Sequence, residues 1–186
     1  MKNLLVSAAL VCLFTQFVNA QGQKKTYLDL NAGMGVLPTF VKDAGRVKTP
    51  ALSFTADYQL QEHFSLGAFA GYSVTESSIR ILRDGSTAQW TNRFSVAGLR
   101  LAARSSQMGP WNIYGGLAAG YAFSNIDIDR ATLEKVKRET NVEEKSGNVL
   151  ITGFVGARHS FTPKVGIFAE LGYTCSLVTA GLSVRL

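Results

Sequence analysis

Cysteine is scarce in this chain: Cys12 and Cys175 are the two among 186 residues. Cys12 falls inside a predicted leader, so Cys175 stands alone and no internal disulfide staples the fold. Histidine is as rare, with only His63 and His159. Two His and one Cys without ligand-like spacing argue against a structural zinc site. Neither His has a Ser and an Asp placed beside it in the manner of a nucleophilic triad. No Gly-Lys-Ser/Thr phosphate loop occurs, and no cofactor is expected. Long apolar runs are missing too: no window reaches the ~20 residues of a spanning helix. Charge is modest at 17% of residues. The net charge of +6 comes from basic residues scattered along the chain, with no aromatic-interleaved basic stripe, which excludes a nucleic-acid binder. At 46% hydrophobic the chain is also too apolar for disorder.

Residues 1–20 read as a signal peptide. Lys2 supplies the positive start, Leu4 to Val18 the apolar run, and Val18-Asn19-Ala20 a cleavage site. Residues 21–186 then form the mature domain.

What that domain has in abundance is alternation of apolar with polar or glycine positions. Leu28, Leu30, Ala32, Met34 and Val36 alternate with Tyr27, Asp29, Asn31, Gly33 and Gly35. The same period of two runs through 51–60, 64–75, 111–123, 165–173 and 178–186, and less cleanly through 149–161. Residues 89–104 fit only with a change of phase. Trp90, Phe94 and Val96 share one parity and Leu99, Leu101 and Ala103 the other, so a bulge is expected near Gly98. These are eight strands. Short links at 61–63, 105–110 and 162–164 alternate with long ones at 37–50, 76–88 and 124–148; 174–177 is short but lies on the long side. Short turns at one end and long loops at the other describe an eight-stranded antiparallel up-and-down transmembrane β-barrel.

Alternation alone does not say which face points outward. Three features place the apolar face in lipid. The lysines after residue 20 (Lys24, Lys25, Lys42, Lys48, Lys135, Lys137, Lys145 and Lys164) all lie outside the predicted strands. Glycines crowd the polar parity, where they would make room inside a narrow lumen. Aromatics gather at strand ends in two belts: Tyr58, Phe64, Trp111 and Phe161 at the short-turn end, and Tyr72, Trp90, Tyr121 and Tyr173 at the long-loop end. The polar face then carries Asp29, Asp57 and Glu170 with Arg93, Arg100, Arg104, Arg158 and Arg185. Charges in a narrow lumen must pair, and Glu170 is expected to join Arg158 or Arg185 from a neighbouring strand.

Particular phrases carry a resemblance: Tyr58-Gln59-Leu60, then Phe64-Ser65-Leu66-Gly67 with Gly71-Tyr72, then Gly172-Tyr173, and the ending Gly181-Leu182-Ser183-Val184-Arg185-Leu186. Over residues 26–186 the chain resembles the outer-membrane β-barrel domain family, in the shape of outer-membrane protein X and the membrane domain of outer-membrane protein A. The resemblance implies a bacterial outer membrane, lipid as partner, insertion by the barrel-assembly machinery, and a monomer. Such chains often end in an aromatic residue, where this one has Leu186. The expected role is non-enzymatic: structural, or surface interaction through the outer loops, above all 124–148. The alternative is a narrow pore for ions or small solutes. In loop 124–148 Glu134 and Arg138 would pair if locally helical, and Ile126 and Ile128 would otherwise extend the preceding strand as a ribbon.

Overall fold

A computed structural model describes residues 26–35, 44–106, 108–128, 132, 136 and 145–186. The predicted signal peptide, residues 36–43 and the Glu134–Arg138 pair lie outside the described residues. The barrel strands are β1 (Leu28–Gly35), β2 (Ala44–Gln61), β3 (Phe64–Ser77), β6 (Thr91–Arg104), β7 (Trp111–Asp127), β8 (Lys145–Ser160), β9 (Val165–Gly172) and β10 (Val178–Arg185). Two short strands, β4 (Arg80–Ile81) and β5 (Thr87–Ala88), pair with each other in the link between β3 and β6. The eight barrel strands close as β1-β10-β9-β8-β7-β6-β3-β2, each antiparallel to its neighbours.

The register fixes the barrel's geometry. From Gly33, directly opposed register partners lead one way through Ser53, Gly71, Val96 and Ala122 to Asn148. The other way they lead through Gly181 and Phe168 to Arg158. Asn148 and Arg158 lie on the same strand ten positions apart, so the shear number is 10. With a rise of ~3.3 Å per residue and strands ~4.8 Å apart, eight strands at that shear tilt by about 40°. A barrel of this size has an interior one side chain deep from each wall.

Alternation predicts the faces of most strands. Leu117 and Leu182 are 65% and 62% exposed, while Asp29 is 2% exposed. The core is therefore the lumen, and the barrel is apolar on the outside.

The structure departs from the sequence reading in four places. No bulge occurs at Gly98, since β6 keeps an unbroken ladder with β3 and with β7. Phe94 and Val96 are simply buried in the lumen, in phase with Arg100 and Arg104. The change along β6 is one of lumen chemistry. Second, several strands outrun their predicted ends: β2 begins at Ala44, with register shifts up to Leu52, β7 runs to Asp127 and β8 begins at Lys145. The ribbon reading of Ile126 thus holds as far as Asp127, and Lys48 and Lys145 become strand residues beyond the outer aromatic belt. Third, Trp90 is not in that belt. It is 6% exposed and packs with Leu82, Ala88 and Val136, flanked by Ile126 and Ile128, under the β4–β5 hairpin. Fourth, Arg93 points outward to an ion pair with Asp127 at 3.0 Å.

Candidate functional site: the lumen and the outer rim

The lower lumen, next to the short turns, is an ion-pair network. Asp29 on β1 receives Arg158 Nη1 at 2.8 Å, Arg185 Nε at 2.8 Å and Nη2 at 3.0 Å, and Arg104 Nη1 as well. Glu170 on β9 takes both terminal nitrogens of Arg100, at 3.2 and 2.8 Å. This two-point fork is the strong form of the contact. Asp57 lies 3.1 Å from Arg100 Nε, out of line with the N–H, so this contact is electrostatic and not a directed hydrogen bond. Arg100 also stacks on Phe154, its guanidinium carbon 3.9 Å from the ring centroid, a desolvated cation–π contact. Among the described residues four lumenal guanidinium groups thus face three carboxylates, and Arg158 Nε and Nη2 have no hydrogen-bond partner.

These pairings correct the expected ones. Glu170 is held by Arg100, not by Arg158 or Arg185, both of which serve Asp29. Arg100 and Glu170 sit on β6 and β9, strands that are not neighbours. In so narrow a lumen the partner stands across the axis as readily as beside it, which strand adjacency does not reveal.

The upper lumen is apolar and hydroxylic. Phe69, Phe94, Val96, Ala118, Ala122, Leu150 and Cys175 are buried there, among Ser73, Thr75 and Thr179. Four lumen aromatics each face a glycine across the ladder: Phe69 faces Gly98, Tyr114 faces Gly156, Phe154 lies between Gly116 and Gly172, and Phe168 faces Gly181. The glycines are seats for rings. A Cβ on Gly156 would come within 2.6 Å of the Tyr114 ring. The space left beside Arg100, Glu170 and Thr55 is about 10 Å³, room for about one water.

After Gly172 the chain leaves the wall. Cys175 crosses to β3, where a Cβ on Gly71 would meet its Cβ at 2.5 Å, and is 2% exposed. Burial pushes its thiol up to about 11. His63 Nδ1 lies 3.2 Å from the Arg104 carbonyl in the turn after β2. His159 faces outward between Trp111, 4.6 Å away, and Phe161, 5.2 Å away. Among the described residues no three His, Cys, Asp or Glu side chains converge to hold a metal ion.

The exterior carries Tyr58, Phe64, Trp111 and Phe161 near the short turns and Tyr72, Tyr121 and Tyr173 near the long loops, each at least 41% exposed. Between them stand Leu66, Leu99, Leu101, Ile113, Leu117, Ile167 and Leu182, all exposed. An apolar band right around a closed barrel is a surface made for lipid, since water would leave it unburied. Closure meanwhile satisfies the backbone.

No protein-family model and no curated protein matches the chain. Solved structures do. Neisserial surface protein A aligns over 89% of this chain and 99% of its own, with a TM-score of 0.52 at 11% identity. The chain has the fold of small bacterial outer-membrane barrels. The N-terminal β-barrel domain of Pseudomonas aeruginosa OprF aligns over 89% of this chain and 98% of its own, with a TM-score of 0.48 at 16% identity. Ail, the attachment invasion locus protein of Yersinia pestis, aligns over 87% and 97% with a TM-score of 0.49 at 11% identity.

Proposed function

We propose that this chain is a non-enzymatic outer-membrane barrel whose closed lumen anchors a surface-interaction platform. Residues 1–20 are removed as a signal peptide, the assembly machinery inserts the barrel, and the monomer stands with its short turns in the periplasm. The observation that carries this reading is a contrast along the axis. The lumen is filled by the Arg100–Glu170 fork and the Asp29 cluster, whereas β2, β3, β6, β7 and β8 are 14 to 18 residues long and run on past the outer belt. About 9–11 residues suffice to cross a bilayer, so the surplus stands outside, beneath loop 124–148. A lumen packed with paired charges, only Arg158 keeping nitrogens to spare, stabilises a closed barrel and leaves no continuous hydrated path.

Planar-bilayer recording on the refolded full chain tests this. No steady unitary conductance is expected, either for the native chain or for Glu170→Gln. A steady conductance whose size changes in Glu170→Gln would overturn the reading in favour of a narrow pore.

A further inference from the structure

Just above the outer aromatic belt the lipid face of the barrel turns from apolar to cationic. Arg93 on β6 stands opposite Asn125 on β7, and Asn125 stands opposite Lys145 on β8. All three side chains are exposed. Each is in phase with outward residues of its own strand: Arg93 with Leu99, Asn125 with Tyr121 and Phe123, and Lys145 with Val149 and Ile151. They therefore project from the wall and not into the lumen.

The closed register sets their heights. A shear of 10 lifts a row of opposed residues by ~3 Å per strand in the direction from β6 to β8, while two residues along a tilted strand span ~5 Å of height. Arg93 is thus level with Gly147, and Lys145 stands one outward position higher. Gly147 is a seat on the outer wall, because a Cβ there would overlap the Tyr121 hydroxyl. The Tyr121 ring leans up from the belt across this glycine, braced by Phe123 with ring centroids 4.6 Å apart. A guanidinium on one side, a phenol hydroxyl on the other and an amide between them surround one patch over β7. The long stem of Lys145 lets its ammonium reach down to the same height.

The Arg93 guanidinium is only weakly committed elsewhere. It meets Asp127 at 3.0 Å, but the two side chains are 54% and 66% exposed, and such a surface pair is easily surrendered. Directly below the patch lie Phe123, Val149 and Ile151, at 55%, 74% and 76% exposed. A soluble phosphate would use only the upper half of this surface, and an apolar segment only the lower. A phosphorylated lipid uses both, at the depth where headgroups lie.

We propose that Arg93, Tyr121, Asn125 and Lys145 bind the terminal phosphate of an anionic outer-leaflet lipid, whose acyl chains run down the wall over Phe123, Val149 and Ile151. The guanidinium offers parallel N–H donors, the ammonium adds a compact charge, and the phenol and amide each donate one hydrogen bond. Four donors around one group call for a phosphate monoester with its outer oxygens free. The site lies on the outer wall, so it goes beyond the platform reading and stands whether or not the lumen conducts.

The test equilibrates the refolded full chain in detergent with equal amounts of phosphatidic acid and phosphatidylcholine, and counts the retained lipids by native mass spectrometry. Phosphatidic acid is expected to be preferred about tenfold or more. Arg93→Gln with Lys145→Gln removes that preference. Tyr121→Phe, which takes away one hydroxyl and no charge, lowers it about threefold. Arg46→Gln with Lys164→Gln removes two charges elsewhere on the barrel and leaves the preference within twofold. Heat-dependent gel migration reports that each variant is folded. The proposal falls if phosphatidic acid is not preferred, or if the Arg46 and Lys164 pair matters as much as Arg93 and Lys145, since the attraction is then diffuse. It falls equally if inorganic phosphate displaces the lipid as well as short-chain phosphatidic acid does, because the apolar wall then contributes nothing. A steady conductance in the bilayer experiment would remove the closed-lumen reading without changing these lipid counts, so the two fail separately.

Discussion

The two ends of the lumen are filled by opposite means. Near the short turns, Asp29 is surrounded by Arg104, Arg158 and Arg185, with Asp57, Arg100 and Glu170 above it. Near the long loops, Phe94, Val96, Leu150 and Ala122 close the same cylinder with hydrocarbon. Desolvated ions gain stability only when every partner is present, whereas an apolar plug loses stability in proportion to the volume removed. The lower end should therefore be brittle and specific, and the upper end tolerant. Arg100 is the joint, gripping Glu170 on one side and lying on the Phe154 ring on another.

The strongest way to break the comparison is at Asp29. Asp29→Ala leaves Arg158 and Arg185 without an anion and Arg104 with only Asp57, 4.0 Å away. The expected cost is about 3–5 kcal/mol, the usual penalty for orphaning a buried charge, read as a fall in the urea midpoint of the heat-dependent gel shift. Phe94→Leu at the apolar end, which nearly conserves volume, should cost less than ~1.5 kcal/mol. Equal losses at the two sites would show that the ends do not differ in kind.

A middle-sized effect sharpens the role of the glycines. Gly156→Val places a branched side chain where the Tyr114 ring lies, since even a Cβ there comes within 2.6 Å. Overpacking of this sort costs about 1–3 kcal/mol. Adding Tyr114→Ala should recover part of that loss, because the ring's seat is then vacant. A double variant no more stable than Gly156→Val alone would mean that Gly156 is needed for its backbone and not for the ring.

The strand faces were legible because lipid and lumen differ sharply in polarity, so a period of two stands out in β1, β3 and β10. Where the lumen is itself apolar, that contrast vanishes. Phe94 and Val96 looked outward-facing for this reason, and an unneeded bulge at Gly98 followed. Periodicity reports polar against apolar, and only indirectly inside against outside. Trp90 failed in the same way: a belt residue and a small core under a hairpin both call for a large ring, and its partner Val136 is 46 positions away. The membership of the charge network was readable from parity. Its pairing was not, because the reach from Arg100 to Glu170 across the axis depends on shear and barrel radius, neither of which a single strand encodes.

The smallest expected change in stability, and the finest probe of the upper end, is at Cys175. Its thiol is packed against β3 near Gly71 and burial holds its pKa near 11 instead of 9.0. Maleimide should therefore label the folded barrel slowly at pH 8 and the urea-unfolded chain at once, and the folded rate should rise toward pH 11. The linkage has a definite sign. A thiol whose folded pKa is raised favours the folded state fully below pH 9, and that contribution fades as pH climbs through 11. Cys175→Ser keeps the size of the side chain and should abolish this alkaline decline while changing neutral-pH stability little. Asp29→Ala, acting at the far end of the lumen, should leave the Cys175 labelling rate unchanged if the two ends are independent. Faster labelling in that variant would show that the ion-pair layer also holds the upper plug closed, and would merge the two regions into one cooperative unit.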